Sequence, residues 1–189
     1  MPVNGTQTLT TNRLILRRLA TSDAPAMFTN WANDPLVTKY LTWQPHQNIS
    51  ITKMGLKWRE KQYQDPAFFD WGIVIKDTDK LIGTITVVNQ DKAKKTMEIG
   101  YCLGKQWWGQ GFAAEALIKV LNFLFTYTAV ERIEARHDTN NPNSGKVMKK
   151  AGMAFEKILY QHGTNNNGVC DEAVYSILRT DTTASTDAV

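Results

Sequence analysis

The spacing of apolar and polar positions changes several times along the chain, and each change marks a new element. After a polar start, residues 13–19 are short, branched and apolar with basic flanks, which predicts a first strand. Ser22 or Asp23 then caps a short helix through Ala26, Met27, Asn30 and Trp31 that ends before Asp34-Pro35. Ser50 caps a second helix over about residues 50–64, with Met54, Trp58 and Lys61 at helical spacing, until Asp65-Pro66 stops it. Residues 69–76, 81–89 and 96–103 have strand composition and are separated by short polar turns, which predicts an antiparallel meander. The period then changes to that of a helix over residues 112–127, where Ala113, Ala116, Leu117, Val120, Leu121 and Leu124 share one face. A strand over 130–137, a helix over 143–150 closed by Gly152, and strands over 153–160 and 172–179 complete the pattern, with a turn at Asn165-Asn166-Asn167-Gly168.

This order predicts an α/β (α+β) domain: a mixed, mostly antiparallel sheet of about seven strands flanked by about four helices. Residues 1–10 read as a flexible leader, 11–180 as a single domain and 181–189 as a small, polar, flexible tail. The start of the chain lacks the basic and apolar regions of a signal peptide, and no apolar run reaches the ~20 residues that span a bilayer. Only two cysteines, Cys102 and Cys170, are present, so a disulfide framework or a cysteine-rich metal site is not expected and a reducing, cytoplasmic location is. The net charge of +4 favours anionic ligands without forming the block of like charge that marks a nucleic-acid tail.

The chemistry gathers at Gln106-Trp107-Trp108-Gly109-Gln110-Gly111, between a strand and the long helix. Glycines at such a junction let backbone N–H groups turn inward, and a helix start adds unpaired donors, together a receptor for phosphate or pyrophosphate. No Gly-Lys-Ser/Thr follows, so this is not a Walker loop, and the preceding strand closes a meander instead of opening a dinucleotide-binding unit.

This segment, together with Glu98-Ile99-Gly100-Tyr101-Cys102-Leu103, Ala114-Glu115-Ala116-Leu117 and the stretch from Asn141-Pro142-Asn143-Ser144 to Lys150-Ala151-Gly152-Met153, resembles the GCN5-related N-acetyltransferase (GNAT) superfamily. More narrowly, it is similar to the RimJ/RimL branch of ribosomal-protein N-terminal acetyltransferases. Trp108 stands where a basic residue is common. The resemblance implies the GNAT fold, acetyl-CoA as acetyl donor, and an amine acceptor, foremost a protein or peptide N-terminus of the ribosomal-protein type, with no direct nucleic-acid partner, no membrane and a homodimer as the family's guide. It implies that the backbone of Tyr101, Cys102 and Leu103 pairs with the pantetheine arm. The amides of Trp108, Gly109, Gln110, Gly111, Phe112 and Ala113 would hold the pyrophosphate, and Asn141 and Ser144 would lie beside the thioester.

The attacking amine must first lose a proton, which at pH 7 costs about 1.4 kcal/mol for an α-amine of pKa near 8 and about 4.6 kcal/mol for a lysine. Glu98 is the expected base and His162 its competitor, while Ser144 is the expected partner of the leaving thiolate. Trp43, His46 and Trp71, with Trp31 and Tyr40, are expected to wall the acceptor pocket. Elsewhere Glu115 is expected to pair with Lys119, Cys102 to be a small buried apolar group, Arg13, Arg17 and Arg18 to be solvated, and no metal to be held.

Overall fold

A computed structural model describes residues 5–183 of the chain. Eight strands form one sheet: β1 (Leu9–Thr10), β2 (Leu14–Arg17), β3 (Asp70–Ile75), β4 (Lys80–Asp91), β5 (Thr96–Leu103), β6 (Arg132–Asp138), β7 (Ala154–Asn165) and β8 (Gly168–Leu178). Their spatial order is β1-β2-β3-β4-β5-β6-β8-β7, and every neighbouring pair is antiparallel except β5 with β6. A parallel pair needs a long crossover, here supplied by the helix α4 (Phe112–Tyr127). Between β2 and β3 the chain forms α1 (Ala24–Met27), α2 (Pro35–Thr38) and α3 (Ile49–Gln62); α5 (Pro142–Lys150) follows β6, and α6 (Arg179–Thr183) follows β8.

Each sheet face has its own core. Leu117, Val120, Leu121 and Leu124 of α4 pack with Ile73, Ile85, Met97 and Ile99 on one face, as the helical apolar stripe predicts. On the other, Leu19, Met27, Trp31, Leu56, Val74 and Leu81 join α1 and α3 to the sheet.

Four expectations are corrected. The leader is built into the fold where it is described: β1 pairs with β2, and Thr6 donates to the Phe68 carbonyl and accepts from the Asp70 N–H. The tail expectation falls largely outside the described residues. The second helix is capped by Asn48, whose Oδ1 accepts from Ser50 and Ile51, because Asn48 holds the extended backbone a cap requires while Ser50 is already helical. The first expected helix is broken into a 3-10 turn, α1 and a wide π turn over Phe28–Ala32, and Asp34-Pro35 opens the unforeseen α2 with Asp34 as its cap. Finally, Glu115 turns from Lys119 to Thr11 (2.6 Å) and Arg13 (2.7 Å), Arg17 pairs with Asp23 and Arg18 donates to the Thr6 carbonyl, so these arginines are partnered instead of solvated.

A buried polar knot ties the second face, that of α1 and α3, together. Asp70 is fully buried; its carboxylate accepts from Tyr63 (2.8 Å) and Thr86 and lies 3.3 Å from Arg59, while the Tyr63 hydroxyl in turn accepts from the Leu19 N–H. Removing that hydroxyl strands both a buried donor and a buried carboxylate. Tyr63→Phe is therefore expected to cost about 1–3 kcal/mol of stability, read as a fall in the urea midpoint at unchanged m-value.

Candidate active site

The site begins where β5 and β6 stop pairing. They are in parallel register only from Thr96 to Glu98 against Arg132 to Glu134, yet β5 runs on to Leu103 and β6 to Asp138. Beyond Glu98 the two strands open into a V. The start of α5 sits across the opening, and Tyr101 of β5 spans the gap: its hydroxyl lies 2.9 Å from both the Ser144 carbonyl and the Ser144 Oγ. That hydroxyl holds its proton above the ordinary tyrosine range, chiefly because it is buried.

A cleft of about 630 Å³ follows the opening toward the start of α4. Of the residues expected to hold the cofactor, Tyr101, Cys102 and Leu103 line it from β5 and Asn141 and Ser144 from α5. Trp108, Gly109, Gly111, Phe112 and Ala113 close its far end. Gln110 does not line it; its carbonyl accepts from Arg13 and its side chain donates to Gln106. Gly109 and Gly111 have φ of +74° and +82°, a conformation that costs other residues free energy, and α4 starts on Gly111 with no side-chain cap. The first turn of α4 therefore presents its amides to the cleft.

Sequence reasoning missed the cations. Lys39, Lys146 and Lys150 line the cleft, and the Lys150 Nζ lies 3.5 Å from where a Cβ on Gly111 would stand. Arg13 braces the loop, with its guanidinium on Glu115 and on the Gln110 carbonyl and 4.4 Å above the Phe112 ring. The spacing of Lys146 and Lys150 at i, i+4 on a helix was the available signal. Half-exposed Trp108 spends its N–H on the Leu103 carbonyl (2.8 Å). The arrangement is a concave, donor-rich, positively charged receptor suited to a polyanion with an elongated arm.

The other expected residues divide. Glu98 stands at the vertex of the V, on the sheet face that carries Cys102, with Arg136 3.7 Å away; burial raises its pKa, opposed by Arg136 and reinforced by Glu172 and Glu134. His162 lies 2.7 Å from Glu172. Trp71 is corrected: it is fully buried between Phe69 and Phe123 and donates to the Gln7 carbonyl, so it belongs to the core and walls no pocket. Trp43 and His46 do not line the cleft; their rings pack together at 5.2 Å and the His46 Nδ1 lies 2.7 Å from Thr52. Tyr40 and Leu41 of the same loop do line it. Asn166, at the tip of the β7–β8 hairpin, donates to the carbonyls of Thr38, Leu41 and Trp43 and accepts from Gln44, fastening the hairpin to that loop. Cys102 lies partly buried beside Thr84, and burial pushes its thiol up, away from nucleophilic use. Among the described residues no His, Cys, Asp and Glu group could hold a metal ion.

Comparison with known proteins agrees with this geometry. The family profile described as acetyltransferase (GNAT) domain matches residues 13–154. The chain belongs to this family. It is 31% identical over 173 residues to the uncharacterized N-acetyltransferase p20 of Bacillus licheniformis, covering 92% of this chain and 97% of that protein. It is 34% identical over 171 residues to the uncharacterized N-acetyltransferase YoaA of Bacillus subtilis (strain 168), covering 90% and 96%. Among solved structures, RimL, a ribosomal L7/L12 α-N-protein acetyltransferase in complex with coenzyme A, superposes with a TM-score of 0.80 at 18% identity, covering 91% of this chain and 98% of that one. The expected fold is thus observed, and the GNAT protein is an acetyl-CoA-dependent N-acetyltransferase. Gly111→Ala in this acetyltransferase is expected to lose about 1–2 kcal/mol through the left-handed backbone it must adopt, measured as a lower thermal midpoint without loss of helical circular dichroism.

Proposed function

We propose that this acetyltransferase transfers the acetyl group of acetyl-CoA to the α-amine at the N-terminus of a protein or peptide in the cytoplasm, with Glu98 as general base. The observation that carries the reading is the vertex of the V, where a partly buried carboxylate sits at the last paired position of two strands whose opening leads along the cleft to the start of α4. The free state of both cysteines agrees with a reducing compartment.

The cleft fits the cosubstrate. The amides of Trp108, Gly109, Gly111, Phe112 and Ala113 and the ammonium of Lys150 hold the diphosphate, Lys150 supplying the cation that Trp108 does not. The free edge of β5 from Tyr101 to Leu103 pairs with the amides of the pantetheine arm. Acetyl-CoA brings an acetyl group activated as a thioester. Glu98 takes the proton from the acceptor ammonium, and the smaller deprotonation cost of an α-amine matches a carboxylate base better than that of a lysine. As the amine nitrogen bonds to the acetyl carbon and the carbon–sulfur bond breaks, Ser144, beside Tyr101, donates a hydrogen bond to the departing thiolate, which takes up the second proton lost by the nitrogen. The acceptor enters on the side of the vertex where Glu98, Glu134 and Glu172 gather around Arg136 and attract a cation. The activity of RimL as a ribosomal L7/L12 α-N-protein acetyltransferase supports the choice of acceptor.

Glu98→Gln is expected to lower kcat by about 10² to 10³ with little change in the KM for acetyl-CoA. Because the base works as the carboxylate and burial raises its pKa, wild-type kcat/KM falls as pH drops through a value above that of a free glutamate, and the variant loses this acid limb. Mass spectrometry of a mixture of peptides with free and blocked N-termini tests the acceptor: acetylation confined to lysine side chains refutes the α-amine assignment.

A further inference from the structure

Arg136 is shared by three carboxylates and fully satisfies none. Its guanidinium lies 3.7 Å from Glu98, 3.4 Å from Glu134 and 3.9 Å from Glu172, and its buried Nε has no hydrogen-bond partner. Glu134 is also held by Arg132 at 3.0 Å, and Glu172 by His162 at 2.7 Å. From β4, the residue in register with Glu98 is the uncharged Asn89. Arg136 is therefore the one cation in contact with Glu98 among these groups.

The second claim on Arg136 is built with some care. β7 bulges between Leu159 and Gly163, and Gln161 in that bulge has φ of +49°, a conformation a non-glycine residue rarely adopts. The Gln161 N–H is pinned by the Asp171 carboxylate at 2.8 Å. The bulge sets the His162 ring against Glu172, and the side chain of Glu172 crosses Gly163 so closely that a Cβ there would stand 2.6 Å from its carboxyl carbon. A strained turn, a missing side chain and a short hydrogen bond converge on the placement of one carboxylate.

We propose that Glu172 is a positioning residue that acts on Glu98 through Arg136: by drawing Arg136 toward β8 it frees Glu98 to accept the acceptor's proton, while His162, bonded to the same carboxylate, competes with Arg136 for it and leaves Arg136 to Glu98. This inference rests on the assignment of Glu98 as base. The charges act in the same sense, since Glu172 raises the pKa of Glu98 while Arg136 and His162 lower it.

The signs distinguish this role from a structural one. Glu172→Gln leaves Arg136 to Glu98 and moves the acid limb of kcat/KM to lower pH by about half a unit to one unit. Gly163→Ala removes no titratable group, displaces Glu172, and moves the limb the same way. His162→Gln, at a half-exposed position, removes the ring that competes with Arg136 for Glu172 and moves it to higher pH. Carbon-13 NMR of the Glu98 carboxyl, assigned with Glu98→Gln, follows the same shifts without reference to turnover, and protection from melting by coenzyme A checks that each variant is folded. Opposite shifts in the two polar variants support this role; an unmoved Glu98 titration with only a uniform loss of kcat overturns it. If Glu98→Gln keeps its activity and acid limb, the base assignment fails, and the NMR shifts still decide the coupling.

Discussion

Three residues of parallel pairing between β5 and β6, followed by none, are the constraint on which the site depends. A backbone donor or acceptor released from a sheet must find another partner, so the point where a ladder stops is a point where a ligand can be read by main chain alone. The strands are held open by the α5 start, which is bonded to β5 through the Tyr101 hydroxyl, and by the crossover helix α4 packed beneath. The same opening sets Glu98 at its closed end and leads to the α4 amides at its far end.

Charge is distributed to match. Lysines from α5 face the end of the cleft at α4, while the carboxylates of β5, β6 and β8 collect at the vertex. A net charge of +4 conceals this polarity. The positive charge thus lies along the cleft and the negative charge at the vertex, outside the residues that line it.

Local pattern carried much of this into the sequence. The α4 stripe, the β5 segment and the glycine turn are each set by neighbours within a few residues, and each is found where its period predicts. What escaped depends on partners far apart in the chain. Glu115 reads as a helix-surface pair with Lys119 because nothing nearby announces that Arg13, over a hundred residues earlier, lies against it. Trp71 reads as a pocket wall because nothing in its own segment announces Phe123, some 50 residues on, whose ring packs against it and places it in the core. β1 went unseen because a two-residue strand has no period of its own. Lys150 is one of many surface lysines until folding brings it beside Gly111.

The tip of the β7–β8 hairpin and the loop at residues 38–44 are tied through Asn166 and Asn167, whose side chains donate to the carbonyls of Thr38, Trp43 and Lys39. The two segments therefore behave as one span of variable length. An insertion or deletion in either would shear the seam unless matched across it, so changes of length here are expected to come in pairs some 120 residues apart rather than by remodelling of a lone loop.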